Sequence, residues 1–167
     1  GRRLDDPLIC ELTLIHKNGN EFMKIDVHTH FIPPKLIDDA REGRALNKIV
    51  VEKRNGIEWM IHPQGYRYPL APEFFDMEAK LRQMDRLGLD VSVLSISPPL
   101  LFYWLDAAPA REFCQLANEL LCKFVAQSGK RLRGMATVPL QDPTAAVTEL
   151  RRAVTQLGLR GVEIGTT

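Results

Sequence analysis

His28 and His30 stand one residue apart in Ile25-Asp26-Val27-His28-Thr29-His30-Phe31, an apolar, β-branched run that breaks at Pro33-Pro34. Imidazole is the commonest side-chain ligand for a metal ion. On a strand alternate side chains share a face, so Asp26, His28 and His30 are expected on one side and Ile25, Val27 and Thr29 on the other. At a rise of roughly 3.3 Å per residue the two rings are rooted about 7 Å apart, near enough to lean onto one ion at about 2.1 Å each. Two ligands do not complete a site, because a catalytic metal takes about three protein ligands plus water and a structural one about four. The other donors must come from elsewhere in the fold. A His-x-His pair also arises by chance. What favours the metal reading is its setting, the C-terminal end of a buried-looking strand with an aspartate just before it, where α/β folds collect their chemistry.

The elements that would position this pair follow from the apolar periodicity. Lys48–Glu52 and Gly56–Ile61 are two β-rich runs around Asn55-Gly56, a hairpin turn signal, and they read as an insertion after the first strand. A helix is predicted from about Glu73 to Leu87, with Met77, Leu81 and Met84 on one stripe and Gly88 as its stop. Val91–Ile96 is a second buried strand ended by Ser97-Pro98-Pro99. A second helix spans about Ala107 to Gln127 and turns Phe113, Leu116, Ala117, Leu120 and Phe124 inward. Gly134–Val138 is a third strand, and Asp142-Pro143 caps a third helix with Val147, Leu150, Val154 and Leu157 facing the core. Arg160–Ile164 is a fourth strand. The order β, hairpin, α, β, α, β, α, β calls for a parallel sheet with crossover helices. A doubly wound sheet places a glycine-rich turn where His28-Thr29-His30 stands. A (β/α)8 barrel places ligands at the C-terminal strand ends, as here, but takes about 250 residues. Residues 1–22, with the turn-like Lys17-Asn18-Gly19-Asn20, read as an extension outside the folded unit, which would start at Met23; His16 falls in that extension and is given no role.

Composition narrows the partners. The chain has 167 residues, 45% of them hydrophobic, and a net charge of +1, with acidic and basic residues interspersed and no basic stripe for a nucleic-acid backbone. No apolar run approaches the roughly 18 residues of a membrane span. Cys10, Cys114 and Cys122 are odd in number and lack Cys-x-x-Cys spacing, which reads as reduced thiols in a cytoplasmic protein. The partner expected is a small molecule, not a nucleic acid or a membrane.

With the His-x-His strand, Val91-Ser92-Val93-Leu94-Ser95-Ile96-Ser97, Val138-Pro139-Leu140-Gln141-Asp142 and Gly161-Val162-Glu163-Ile164-Gly165-Thr166, the chain resembles the amidohydrolase superfamily. More narrowly, it resembles the branch that includes aminocarboxymuconate-semialdehyde decarboxylase and related aromatic-acid decarboxylases. The resemblance implies a (β/α)8 barrel of the metal-dependent hydrolase type, with a small β insertion after strand one, here cut after about four strands, so that residues 23–167 form its N-terminal half. It implies a metal, commonly Zn2+, with Mn2+ as another divalent choice, held by His28 and His30 together with a histidine and an aspartate from later strands. An acid/base histidine is likewise expected beyond residue 167. His62, in the insertion before Pro63, reads as a loop histidine.

The resemblance also implies an arginine from the insertion that binds the substrate carboxylate. By position this is Arg67, whose planar guanidinium suits a carboxylate; a solvated loop arginine is the alternative. Tyr103 and Trp104, after the second strand, are candidates either for lining an apolar pocket or for plain packing. The function implied is a metal-dependent decarboxylase of a small aromatic or dienoic acid, an activity of the full-length parent, and family members are often homodimers. The same ligands serve hydrolases of amides or lactones, and a partial barrel by itself would be a non-catalytic domain.

Overall fold

A computed structural model describes residues 12–18 and 21–165. Its main sheet has the strand order β1 (Leu12–Asn18), β2 (Glu21–Phe31), β6 (Val91–Ile96), β7 (Leu132–Gly134). β2, β6 and β7 are parallel neighbours, and a parallel bridge between Ala136 and Val162 adds a fourth segment beside β7. The helices α1 (Pro34–Arg41), α2 (Met77–Leu87), α3 (Ala107–Ala126) and α4 (Pro143–Thr155) connect them. Sequential parallel strands joined by helices are the wall of a (β/α)8 barrel. A separate antiparallel sheet, β3 (Val50–Arg54), β4 (Ile57–Ile61) and β5 (Arg67–Pro69), is the insertion after the first barrel strand.

Local chemistry accounts for most boundaries. Asp76 and Asp142 cap α2 and α4, each carboxylate accepting a backbone N–H, from Ala79 at 2.7 Å and Ala145 at 3.0 Å, which stabilises a helix start by about 1 kcal/mol. Gly88 ends α2 in the left-handed conformation that costs a residue without Cβ little. Two apolar clusters hold the layers. One, with Phe31, Met84, Leu94, Leu121, Phe124 and Leu159, lies between sheet and helices. The other, with Ile32, Ile37, Met60, Leu100, Phe102 and Phe113, fastens the inserted sheet to the barrel.

The differences from the sequence expectation have physical reasons. Pro33-Pro34 ends the strand but does not open a loop, because Pro34 is the first residue of α1, where a fixed φ and a missing N–H cost nothing. The insertion has a third strand, β5, paired with β4. Leu12–Asn18, within the segment set aside as an extension, pairs antiparallel with β2 and covers that edge of the sheet; Cys10 lies outside the described residues. Leu116 is half-exposed and Leu121 takes its place in the core. On α4 the buried face is Ala146, Glu149 and Ala153, while Val147 and Val154 face out. A polar knot turns the helix. Asn118 Nδ2 donates to Glu149 Oε1 at 2.7 Å, Arg152 Nε donates to Glu149 Oε2 at 2.8 Å, and Asn118 also bonds both the N–H and the carbonyl of Thr137 at 2.9 Å. A buried carboxylate left without these partners would cost more than two half-exposed valines.

Two predictions follow from this packing. A Cβ at Gly134 would stand 2.7 Å from Leu159 Cδ2 and 3.2 Å from Leu121 Cγ, so Gly134→Ala should lower the stability read by urea unfolding by about 1–3 kcal/mol. The second concerns pH. Burial pushes the His62 imidazole down to about 4, and that of His30, mainly by burial and then by the charge of His28, to about 4. Unfolded histidine titrates near about 6.5, so below that pH the unfolded chain binds protons that the fold refuses. Stability is then lost as pH falls, by up to about 1.4 kcal/mol per unit for each group, until the folded pKa is reached. Urea midpoints should drop between pH 7 and pH 5, and His62→Gln should remove part of that drop. An unchanged drop would mean that His62 accepts its proton within the fold.

Candidate metal centre

β2 carries His28 and His30 to its C-terminal end, where their rings meet edge to face with centroids 4.8 Å apart. Glu163, just past the Ala136–Val162 bridge, completes a cluster: one ligand atom from each of the three residues lies within 4.8 Å of the others. His28 Nε2 is 3.8 Å from Glu163 Oε1. Yet Glu163 belongs to the fourth parallel segment, three strand spacings from β2, or about 14 Å on a flat sheet at roughly 4.8 Å per strand. Only a sheet curled toward the ligands lets the two side chains meet, and that curl is what closes a barrel.

The donor set fits a divalent metal. Two imidazoles and a carboxylate suit Zn2+, Mn2+ or Fe2+, and ligands at about 2.1 Å need only a modest contraction of the cluster. His30 Nδ1 and Glu163 Oε2 are both buried without a hydrogen-bond partner among the described residues, a cost of about 1–3 kcal/mol each that a bound cation would remove. Burial raises the Glu163 carboxyl above its ordinary value, and the neighbouring His28 imidazole offsets part of that rise. Burial holds His30 neutral at pH 7, the form that binds metal.

Beneath the pair the backbone is irregular. Between Asp26 and Thr29 β2 advances three residues while β6 advances two, a bulge that breaks the alternation. The expected common face of Asp26, His28 and His30 is therefore not kept. Asp26 is buried, accepts the His28 N–H at 3.2 Å and is under the influence of the buried Lys80, whose Nζ bonds Thr29 Oγ1 at 2.8 Å and Gln83 Oε1 at 3.1 Å. Burial raises the Asp26 carboxyl and lowers the Lys80 ammonium, and each charge partly offsets the other's shift. Asp26 and Lys80 thus grip the bulge from the side away from the ligands.

Beside Glu163 opens a cleft of about 520 Å³, lined by Tyr66, Pro98, Pro99, Leu101, Tyr103, Trp104, Ile164 and Gly165 as well. Tyr103 and Trp104 therefore line an apolar pocket. Arg67 is not brought to it: it is exposed on β5, beside a separate depression formed with Arg54, Asn55, Ile57 and Trp59. The insertion reaches the cleft through Tyr66 instead. His62 is buried below that turn, with Nε2 3.2 Å from the Tyr68 hydroxyl. Glu163 was missed by sequence reasoning, although a carboxylate at the C-terminal end of a barrel strand is itself a signal of chemistry. Val138-Pro139-Leu140-Gln141-Asp142 gains a physical meaning: Gln141 Nε2 donates to the carbonyls of Phe102 and Leu105 at 3.1 and 3.0 Å, pinning the loop that bears Tyr103 and Trp104, while Asp142 caps α4.

The chain can be set beside known proteins. The sequence pattern of the amidohydrolase family matches residues 25–167. A 2-amino-3-carboxymuconate-6-semialdehyde decarboxylase of Dictyostelium discoideum is 28% identical over 146 residues, 86% of this chain and 40% of that protein. A gamma-resorcylate decarboxylase of Rhodococcus jostii is 35% identical over 143 residues, 83% of this chain and 37% of that protein. Among solved structures, a dihydroxybenzoic acid decarboxylase from Polaromonas sp. JS666, with bound manganese and the inhibitor 2-nitroresorcinol, superposes with a TM-score of 0.61 at 30% identity over 84% of this chain and 37% of that one. This chain thus spans about two-fifths of the length of these relatives. A parallel sheet of barrel form, a His-x-His pair at its C-terminal end and a pattern match from Ile25 onward converge: the chain belongs to the amidohydrolase family.

Proposed function

We propose that this chain supplies one side of the active site of a metal-dependent decarboxylase acting on a small aromatic carboxylic acid. The observation that carries the reading is the meeting of His28, His30 and Glu163 at the rim of a cleft lined by aromatic rings. Relatives that decarboxylate such acids support it. Residues 23–167 are taken as the N-terminal half of the barrel. His28, His30 and Glu163 would hold the ion, Zn2+ or Mn2+; manganese is the metal in the Polaromonas relative. The ion supplies Lewis acidity that stabilises charge developing as carbon dioxide leaves.

The neutral imidazole of His30 is ready to ligate without first losing a proton. The aromatic lining of the cleft orients the ring. The acid/base that protonates that carbon has no candidate among the described residues and is assigned to the parent protein. No helix among the described residues is long and apolar enough to cross a membrane. The free thiols Cys114 and Cys122 support a cytoplasmic setting. A homodimer is carried over as an expectation from the resemblance.

Metal analysis after dialysis against Mn2+ or Zn2+ should find about one ion per chain, absent from the His28→Ala/His30→Ala variant. Glu163→Gln should weaken binding about 10–100-fold or more; equal affinity for parent and variant would remove Glu163 from the site. With hydroxybenzoates as substrates, the metal-loaded parent protein should release carbon dioxide. Turnover of an amide or lactone without carbon dioxide would assign the site to a hydrolase instead.

A further inference from the structure

The cleft contains no lysine or arginine among its lining residues, although a carboxylic acid brings it an anion. What it offers instead is rings, the hydroxyls of Tyr66 and Tyr103 and, at its rim, the Glu163 carboxylate. Tyr66 and Trp104 face each other within 25° of parallel, centroids 6.5 Å apart, at the wide end of the roughly 4.5–7 Å over which rings pair. Both are about half exposed, at 50% and 45%, so another planar ring has access to their faces. Their placement is not that of a loose loop. Trp104 leans edge to face on Phe102, 5.8 Å away, and Phe102 is fully buried with a left-handed backbone, φ 52°. A bulky residue rarely adopts that conformation, and such strain persists where the surroundings enforce it. Gln141 enforces it from below.

Tyr103, next along this loop, accepts the Gly165 N–H at 3.0 Å. A phenol that accepts one bond still has its own hydrogen to donate, and no acceptor among the described residues takes it. A Cβ on Gly165 would stand 2.6 Å from Leu101 Cδ1 and 3.4 Å from Tyr103 Cε2, so the close approach that makes this contact depends on glycine.

From these contacts we infer that Tyr66 and Trp104 form the stacking surface for a planar aromatic acid, and that the Tyr103 hydroxyl, in place of an arginine, donates the hydrogen bond that anchors its anionic oxygen. The choice of an aromatic acid rests on the decarboxylase reading; the anchor and the stacking surface rest on the cleft itself. The cleft therefore selects for flat rings over saturated ones, and Arg67 takes no part in holding the ligand there.

The chain has two tryptophans, so Trp59→Phe leaves Trp104 as the reporter. In that background 4-nitrobenzoate should quench the emission saturably, with and without Mn2+. Benzoate should displace it about tenfold better than cyclohexanecarboxylate does. Tyr66→Ala should weaken both 4-nitrobenzoate and uncharged nitrobenzene about tenfold, and Tyr103→Phe should weaken 4-nitrobenzoate alone. Collisional, non-saturable quenching would overturn the proposal, as would equal displacement by the saturated acid. An unchanged 4-nitrobenzoate affinity in Tyr103→Phe would remove the anchor; a parallel loss of nitrobenzene would show that Tyr103 only holds the strand end. Saturable binding without carbon dioxide release from any hydroxybenzoate would leave the cleft assignment standing and remove the decarboxylase reading. Carbon dioxide release whose KM is indifferent to Tyr66→Ala and Tyr103→Phe would do the reverse.

Discussion

The inward curl of a parallel sheet is the constraint on which this structure turns. His28 and Glu163 sit three strand spacings apart, with β6 and the β7 segment between them, yet their side chains approach to 3.8 Å. A flat sheet would leave them far out of reach. The right-handed twist of each strand and the packing of helices on one face bend the sheet toward the other. Side chains at the C-terminal strand ends then converge on a point near the barrel axis. The metal-binding potential of the chain is thus a property of its curvature as much as of its residues.

That convergence has a cost, met outside the site. Desolvating two imidazoles and a carboxylate leaves His30 Nδ1 and Glu163 Oε2 unpaired, and the bulge in β2 interrupts its ladder with β6. On the opposite side Asp26 accepts the His28 N–H and the buried Lys80 holds the Thr29 side chain, and the Asn118–Glu149–Arg152 knot locks α4 to α3. Charges are rarely buried unless paired or bonded. Here they lie beside the wall that carries His28 and His30.

The loop after β6 joins this frame to the cleft. Its buried Phe102, held by Gln141, turns two neighbouring aromatic residues outward, and the turn between β4 and β5 brings Tyr66 to meet them. The inserted sheet, fastened by its own apolar cluster, contributes Tyr66 to the cleft from the turn between β4 and β5. Two segments far apart in the chain thereby make one surface.

Much of this was legible in the chain. Alternation and helical periodicity located β2, the hairpin, β6 and three helices, because those patterns report local burial; Asp142 and Gly88 marked helix ends because caps are local too. The His28–His30 pair was legible as a candidate because both histidines lie on one strand. Three things were decided only by tertiary structure. Glu163 joined the histidines through sheet curvature, which no spacing in the sequence encodes. Asp26 left the ligand face because a bulge, set by pairing with β6, shifted the alternation by one residue. The buried face of α4 was chosen by Glu149 and its partners Asn118 and Arg152, so a polar contact across 31 residues of chain outweighed the valine stripe. Periodicity and capping act between residues near in sequence and can be read from it; curvature, register and buried pairing join residues far apart, and only the folded chain resolves them.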